Sequence, residues 1–317
     1  MFGFSLAGGD VCGSKGVFEY ELCENWIKAA AMSPLMKLTV DDGDEDDERY
    51  NAFTKNGLFE VLNASLHLRY SLMPYMYTQF WKATKYGTVP IRPIAFEFPA
   101  DRRTYEINNQ WMWGDMLMVT VSNAQSGTRA AYLPRGEWYE YYRGFLRDSR
   151  GESVDIQVGR NETSLFIKGG SVLFKQDCMA TAVDSKNTFV DVIIALNQTN
   201  NFTASGVLYM DDSSKKNTER KDNYHRLINF TVYRQENYGV IEVRRLSGRF
   251  ATKLSYRDLV IMGLKSKPVK ITVNENTQGI DGSKCVWDDF NRVCSFFLLL
   301  ILEKKIFFLK NIVPSQT

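Results

Sequence analysis

Apolar residues recur at helical spacing in two stretches of the first 86 residues. Residues 19–32 carry Leu22, Trp26, Ala29 and Ala30 at intervals of four, three and one, which predicts a helix that Pro34 ends. Residues 56–86 show the same periodicity and predict a longer helix with a kink at Pro74. A short apolar run lies before each helix, at 1–10 and 33–40, and the first is predicted to end in a glycine-rich turn. The order strand, helix, strand, helix predicts two parallel strands.

After Gly87 the pattern changes to short apolar and β-branched runs separated by Gly, Pro, Asn and Asp. This texture is typical of antiparallel β-sandwiches. The predicted fold class is therefore α/β followed by all-β. The predicted strands lie at 89–91, 116–121, 130–133, 138–142, 164–174, 190–196, 207–210, 227–233, 240–244 and 269–273.

The overall charge is close to neutral, with 39 Lys and Arg against 37 Asp and Glu in 317 residues. A net charge of +2 without a basic stripe argues against a nucleic-acid partner. No uninterrupted apolar run of about 20 residues is present, so no membrane span is predicted. Residues 41–48 contain seven acidic residues, which predicts a solvated loop.

Five Asn-x-Ser/Thr sequons are present, where chance gives roughly two or three. They predict a glycoprotein of the secretory pathway, although residues 1–10 show no recognisable signal peptide. The acceptor residues are Asn63, Asn161, Asn197, Asn201 and Asn229.

Several ordered motifs resemble glycoside hydrolase family 31, the α-glucosidases and maltases. GGDVCG at 8–13 and ELCENW at 21–26 resemble the seventh strand, loop and helix of the family's catalytic barrel. LRYSLMPYMY at 68–77 resembles its last barrel helix, and RPIAFEFP at 92–99 resembles the link to the next domain. The resemblance continues through QWMWGD at 110–115, WYEYY at 138–142, KGGS at 168–171 and LYMDD at 208–212, and covers roughly residues 3 to 290.

The resemblance implies the C-terminal fragment of a (β/α)₈ barrel followed by two antiparallel β-sandwich domains. The expected domains are a barrel remnant at 1–86, a proximal sandwich at 87–172 and a distal sandwich at 173–291. The apolar tail at 292–317 departs from the family, and we interpret it either as an edge strand or as translated non-coding sequence.

The family's chemistry is retaining hydrolysis of terminal α-linked glucose, which uses two carboxylates about 5 to 5.5 Å apart. In the family both carboxylates lie on loops after earlier barrel strands, in segments that would precede Met1. We therefore expect no catalytic residue here and no activity of the chain alone. The alternative is a non-catalytic carbohydrate-binding or interaction module. The implied substrate is an α-glucoside or malto-oligosaccharide, and no cofactor or metal is expected.

One glucose-subsite residue is implied by the resemblance. Asp10 matches a family carboxylate that hydrogen-bonds sugar hydroxyls; the alternative is a turn or helix-capping role. The family also has a subsite histidine where this chain has KLTV at 37–40, so that contact is missing. His67 and His225 are the only histidines and are interpreted as structural. Asp211 and Asp212 predict a hairpin turn.

Family members of the lysosomal and intestinal branch have a disulfide at the positions of Cys12 and Cys23. The alternative is a pair of buried thiols in a reducing compartment. Cys178, Cys285 and Cys294 have no evident partners. The branch implies a lysosomal, secreted or extracellular protein.

Overall fold

The computed structural model forms two compact units. The first comprises Met1–Tyr70, Lys82–Arg135 and Ser149–Phe166, and the second comprises Ser71–Trp81, Gly136–Asp148 and Ile167–Thr317. The structure describes residues 6–13, 18–38, 48–54, 57–121, 128–213, 215–235, 238–250, 255–268, 270–273, 280–281, 285–300 and 305–310.

The first unit opens with strand β1 (Gly8–Val11), helix α1 (Tyr20–Ala31) and strand β2 (Leu35–Leu38). The two strands are parallel, as predicted. The predicted glycine-rich turn is wrong because Gly8 lies inside β1, where its backbone meets that of Leu35 with no space for a side chain.

The predicted single helix over 56–86 is interrupted. Its residues form α3 (Leu58–Ser71) and α4 (Met73–Tyr86), preceded by a short α2 (Glu48–Thr54) that was not predicted. The interruption falls at Leu72, because Pro74 has no N–H with which to continue the helical ladder. Of the acidic run at 41–48, only Glu48 lies within the described residues.

A hydrophobic core of the first unit is formed by residues of β1, α1, α2 and α3. On α1 the residues that belong to this core are Cys23, Ile27 and Ala30, which follow one another at intervals of four and three. Leu22 and Trp26 lie on the other face and are 50% and 41% exposed. The remaining members of this core are Val11, Ala52, Leu58 and Val61.

Each predicted strand is present in the structure, with residues 164–174 forming two strands, whereas the strands Gln110–Trp113, Leu146–Ser149, Glu152–Gln157 and Tyr256–Met262 were not predicted. The strands that follow α4 are, in chain order, β3 (Ile91–Pro93), β4 (Gln110–Trp113), β5 (Leu117–Thr120), β6 (Thr128–Leu133), β7 (Gly136–Glu140), β8 (Leu146–Ser149), β9 (Glu152–Gln157), β10 (Ser164–Lys168), β11 (Ser171–Gln176), β12 (Val190–Ala195), β13 (Ala204–Asp211), β14 (His225–Gln235), β15 (Tyr238–Ser247), β16 (Tyr256–Met262), β17 (Lys270–Val273), β18 (Ile280–Asp281), β19 (Val286–Asp288), β20 (Val293–Leu300) and β21 (Lys305–Lys310). The helical elements among them are short, at α5 (Ile94–Glu97) and α6 (Ala182–Lys186).

In the first unit, β3, β4 and β5 form consecutive antiparallel pairs, and β6 pairs with β9. In the second unit, eleven described strands form one sheet in the order β18-β17-β21-β15-β14-β13-β11-β12-β16-β20-β19. The expectation of purely antiparallel strands is wrong at two places, because β11 pairs with β13 and β12 with β16 in parallel. Long connections separate the members of each parallel pair, as this arrangement requires.

The two described strands of the tail are hydrogen-bonded into the sheet of the second unit. Strand β20 lies between β16 and β19, and β21 lies between β15 and β17. The predicted edge strand is therefore wrong, since both tail strands have a neighbour on each side. The expected domain boundaries after residues 86, 172 and 291 remain predictions.

Candidate functional site

Asp10 lies near the carboxyl end of β1, directly opposite Lys37 of β2. The carboxyl ends of parallel strands are where ligands bind in barrels and open α/β sheets. The Lys37 Nζ lies 3.2 Å from the Asp10 Oδ1, and the two side chains are 65% and 41% exposed. An ion pair this open contributes at most about 1 kcal/mol and leaves the carboxylate accessible to a ligand. Lys37, which lies in the segment where the family has its histidine, thus contacts Asp10, the one residue that is expected to bind the sugar.

A disulfide fixes the chain directly after Asp10. Cys12 and Cys23 are bonded, which confirms the pairing that the resemblance implied. Cys12 has a positive φ of 64°, and the N–H of Gly13 donates to the Asp10 carbonyl at 3.3 Å. The left-handed conformation is unfavourable for a cysteine, so the crosslink and the turn together hold it. The strand end is thereby tied to the first turn of α1.

The connection from α1 to β2 is held by Arg69 of α3. Its guanidinium donates to the carbonyls of Ala31 and Pro34, each at 2.9 Å, and to that of Ser33. Carbonyls at a helix C-terminus have no partner within the helix, so these bonds replace the missing ones. Burial lowers the pKa of Arg69. This contact fixes where β2 begins and hence where Lys37 meets Asp10.

A buried lysine on α1 is paired with a carboxylate of the same helix. The Lys28 Nζ is buried and lies 2.7 Å from the Glu24 Oε1, while the Arg160 Nε lies 3.3 Å from the Glu24 Oε2. A buried ammonium group is tolerated only when it is paired. Glu24 therefore neutralises Lys28 and links α1 to the segment after β9.

Removing the Cys12–Cys23 disulfide with the double substitution Cys12→Ser and Cys23→Ser is expected to lower the free energy of unfolding of the first unit by about 2 to 3 kcal/mol. The crosslink joins residues that are 11 positions apart in the sequence, and its loss gives the unfolded chain more freedom. Hydrogen exchange of the α1 amides measures the effect, with Cys178→Ser as the control. Unchanged protection would contradict it.

A buried carboxylate in the second unit was missed by the sequence analysis. Asp211 is 5% exposed, and its Oδ1 accepts from the Tyr77 hydroxyl and the Ser213 N–H, both at 2.8 Å. Its Oδ2 accepts from the hydroxyls of Thr218 at 2.7 Å and Tyr209 at 3.2 Å. The predicted hairpin is present, since β13 and β14 pair antiparallel with Asp211 opposite His225, but its connection is longer than a tight turn and includes two short 3₁₀ turns, Thr218–Arg220 and Asp222–Tyr224. The motif at 208–212 was the only signal for this cluster.

The surroundings of Asp211 include a cation and an aromatic stack. The Lys186 Nζ lies 3.8 Å from the Asp211 Oδ1, and burial lowers the pKa of Lys186. Burial and the hydrogen bond to Asp211 raise the pKa of Tyr77. Tyr209 stacks on Trp81 with ring centroids 4.9 Å apart. Both oxygens of the Asp211 carboxylate accept hydrogen bonds from protein groups, so we interpret the arrangement as structural.

The predicted glycosylation residues differ in exposure. Asn63, Asn161 and Asn201 are exposed, while Asn197 and Asn229 are half-buried. The Asn197 Oδ1 accepts from the Asn200 N–H at 2.8 Å, and the Asn229 Nδ2 donates to the Thr231 hydroxyl at 2.8 Å. Glycosylation at all five remains a prediction.

The remaining candidates have structural surroundings. His225 is buried, with Nδ1 3.2 Å from the Thr218 carbonyl and Nε2 3.2 Å from the Ser247 hydroxyl, whereas His67 is exposed on α3. The expectation that Cys285 and Cys294 lack partners is wrong, because they form a second disulfide across β19 and β20.

Two properties of the described segments bear on ligands and membranes. In the described ranges, no group of three or more His, Cys, Asp or Glu side chains is placed to hold a metal ion. No helix in the part of the chain that the structure describes is long and apolar enough to cross a bilayer.

Two domain models of one family match the chain. Residues 1–79 match the TIM-barrel domain of glycosyl hydrolases family 31, and residues 87–173 match the C-terminal domain of glycosyl hydrolase family 31. The second match spans nearly the same residues as the predicted proximal sandwich.

Curated relatives extend the similarity. Intestinal sucrase-isomaltase of Oryctolagus cuniculus is 30% identical over 295 residues, which is 92% of this chain and 16% of that protein. Alpha-glucosidase of Hordeum vulgare is 28% identical over 292 residues, 89% of this chain and 33% of that protein. The chain thus spans a third or less of these relatives.

Solved structures share the fold. A Flavobacterium johnsoniae GH31 dextranase in complex with glucose has a TM-score of 0.76 at 21% identity, covering 92% of this chain and 37% of that one. The DNJ-bound glucosidase II alpha subunit has a TM-score of 0.80 at 18% identity, covering 98% of this chain and 35% of that one.

Proposed function

Since this chain belongs to glycosyl hydrolase family 31 and corresponds to its C-terminal portion, we propose that it serves in an enzyme that hydrolyses terminal α-linked glucose from oligosaccharides. Curated relatives named sucrase-isomaltase and alpha-glucosidase support this substrate class. In the proposed enzyme, residues 1–86 contribute to the catalytic barrel, and the β-rich remainder supports it.

The observation that carries the proposal is the placement of Asp10. Its carboxylate stands at the end of one of two parallel strands, within the segment that matches the family's barrel domain. A carboxylate there accepts hydrogen bonds from sugar hydroxyls. Lys37, 3.2 Å away, adds a donor beside the same oxygen. The Cys12–Cys23 disulfide and Arg69 act as positioning groups for the two strands.

The proposal assigns no bond-breaking role to this chain. In retaining hydrolysis one carboxylate attacks the anomeric carbon while a second protonates the departing glycosidic oxygen. The second then takes a proton from a water molecule, whose oxygen bonds to the anomeric carbon and displaces the first carboxylate, which releases glucose. We assign both carboxylates to barrel strands other than β1 and β2. Asp10 orients the glucose ring during both steps, and the chain alone is inactive in this proposal.

Asp10→Asn tests the assignment in the longest protein that the transcript encodes. If that protein hydrolyses maltose, the substitution is expected to lower kcat/KM by about 10- to 100-fold, because an amide accepts hydrogen bonds more weakly than a carboxylate. Asp155→Asn, the same change at an exposed position of β9, is the control and leaves kcat/KM unchanged. Equal kcat/KM for wild type and Asp10→Asn would contradict the role of Asp10.

Passage through an oxidising, glycosylating compartment is part of the proposal. Two disulfides and three exposed sequon asparagines support it. Expression in a eukaryotic host checks this, since removal of N-glycans by an endoglycosidase should increase gel mobility. Unchanged mobility would contradict it.

A non-catalytic carbohydrate-binding role is the second candidate. The second unit supports it by having its own apolar core, in which Phe230 makes edge contacts with Phe174 and Tyr256 at 5.0 and 5.5 Å. A unit with its own core can present a sugar-binding surface without a complete barrel. Titration of the whole chain with malto-oligosaccharides tests the role, and a flat response at millimolar sugar would remove it.

A further inference from the structure

An unusually exposed aromatic ring lies at the tip of the β19–β20 hairpin in the second unit. Phe290 is 81% exposed, and its ring centroid is 6.0 Å from that of Phe145 with the planes tilted by 34°. The Arg147 guanidinium lies 4.4 Å from the centroid of the Phe145 ring. Phe290 thus presents its ring to solvent next to the half-buried Phe145, and the two residues are here called the aromatic platform.

The hairpin tip that carries Phe290 is held in one conformation. The Cys285–Cys294 disulfide closes its base. At the tip, the Asp288 Oδ1 accepts from the N–H groups of Phe290 and Asn291, both at 3.0 Å, and the Asn291 Nδ2 donates to the Asp288 Oδ2 at 2.7 Å. A ring presented by a pre-ordered loop loses little conformational entropy on binding a ligand.

Polar side chains flank the platform on the same hairpin. Asp289 is 82% exposed and Arg292 is 50% exposed, with 3.2 Å between the Asp289 Oδ1 and an Arg292 guanidinium nitrogen. The Arg292 guanidinium also donates to the Lys265 carbonyl at 3.1 Å, which orients it. Two carboxylates, Asp288 and Asp289, balance Arg147 and Arg292. A neutral ligand rich in hydroxyl groups fits this balance better than a charged one.

We propose that the aromatic platform is a binding site for a neutral glycan. The C–H face of a pyranose ring stacks on Phe290 and Phe145, while Asp289 accepts from sugar hydroxyls and Arg292 donates to them. This inference rests on the proposed role in α-glucoside recognition and adds a second contact surface, separate from Asp10.

The test uses the whole chain and maltoheptaose as the probe. Titration calorimetry is expected to show weak binding that Phe290→Ala weakens by about tenfold, whereas Phe290→Tyr retains it because the ring is kept. Val286→Ala is the matched control: it removes a 76% exposed apolar side chain from the same hairpin and leaves the affinity unchanged. Since Phe290 and Val286 are exposed, circular dichroism of both variants should match that of wild type.

Asp10→Asn separates this inference from the proposed function. If Phe290→Ala weakens binding about tenfold and Asp10→Asn leaves it unchanged, the platform is the binding site. Loss only in Asp10→Asn would place the sugar at the strand ends and overturn the platform while leaving the proposed function intact. Absence of binding by the wild-type chain, or equal loss in Phe290→Ala and Val286→Ala, would also overturn it.

Discussion

Replacing Asp211 with alanine is expected to lower the free energy of unfolding of the second unit by about 3 to 5 kcal/mol. The substitution leaves the hydroxyls of Tyr77 and Thr218 and the Ser213 N–H without their common acceptor. It also removes the carboxylate that faces Lys186. Asp211→Asn keeps one acceptor oxygen and should have an intermediate effect.

The neighbouring acid supplies the control for this prediction. Asp212 pairs with Lys215, whose side chain is half exposed, so Asp212→Ala should cost no more than about 1 kcal/mol. Hydrogen exchange of the β13 and β14 amides reports on this unit specifically. Equal losses of protection in Asp211→Ala and Asp212→Ala would show that the buried cluster has no special role in stability.

Arg69→Ala is expected to lower the free energy of unfolding of the first unit by about 3 to 4 kcal/mol, because three carbonyls lose a charged donor together. Arg69→Lys retains the charge but lacks the planar fork that reaches all three carbonyls, so it should recover only part of the stability. Hydrogen exchange of the α1 and β2 amides measures both effects. Arg102→Ala, an equal truncation at an exposed position, is the control. If Arg69→Ala and Arg102→Ala change protection equally, the hydrogen bonds of Arg69 do not support β2.

Single helices and strands could be predicted because the residues that form each of them are adjacent in the sequence. The periodicity of residues 19–32 predicted α1 to within one residue at each end, and apolar runs predicted strands such as β12 and β14. The large side chains of Trp113 and Trp138 are fully buried, as expected for sandwich strands.

Pairing between distant strands was less predictable. Gly206 lies in β13 where its backbone meets that of Val172 in β11, with no space for a side chain. A glycine inside a strand indicates such a close approach but does not identify the partner. The tail strands β20 and β21 are likewise positioned by β16 and β15, far away in sequence.

The candidate site was predictable only in part, for the same reason. Asp10 and the Cys12–Cys23 pair followed from the family resemblance. The contact of Lys37 with Asp10 depends on the register of β1 and β2, and the bonds of Arg69 span 35 to 38 residues. Neither relation leaves a periodic signal in the sequence, since each joins positions that meet only after folding.

The most direct test of the central claim is a glucose-release assay with the purified 317-residue chain and maltose. The claim is that this chain contributes a sugar-orienting carboxylate, Asp10, to an α-glucosidase and leaves bond breaking to carboxylates elsewhere in the barrel. It predicts no glucose above the buffer control from a preparation whose circular dichroism spectrum shows folded protein. Glucose release by this chain that Asp10→Asn abolishes would contradict the claim, because it would show that the chain holds a complete catalytic site.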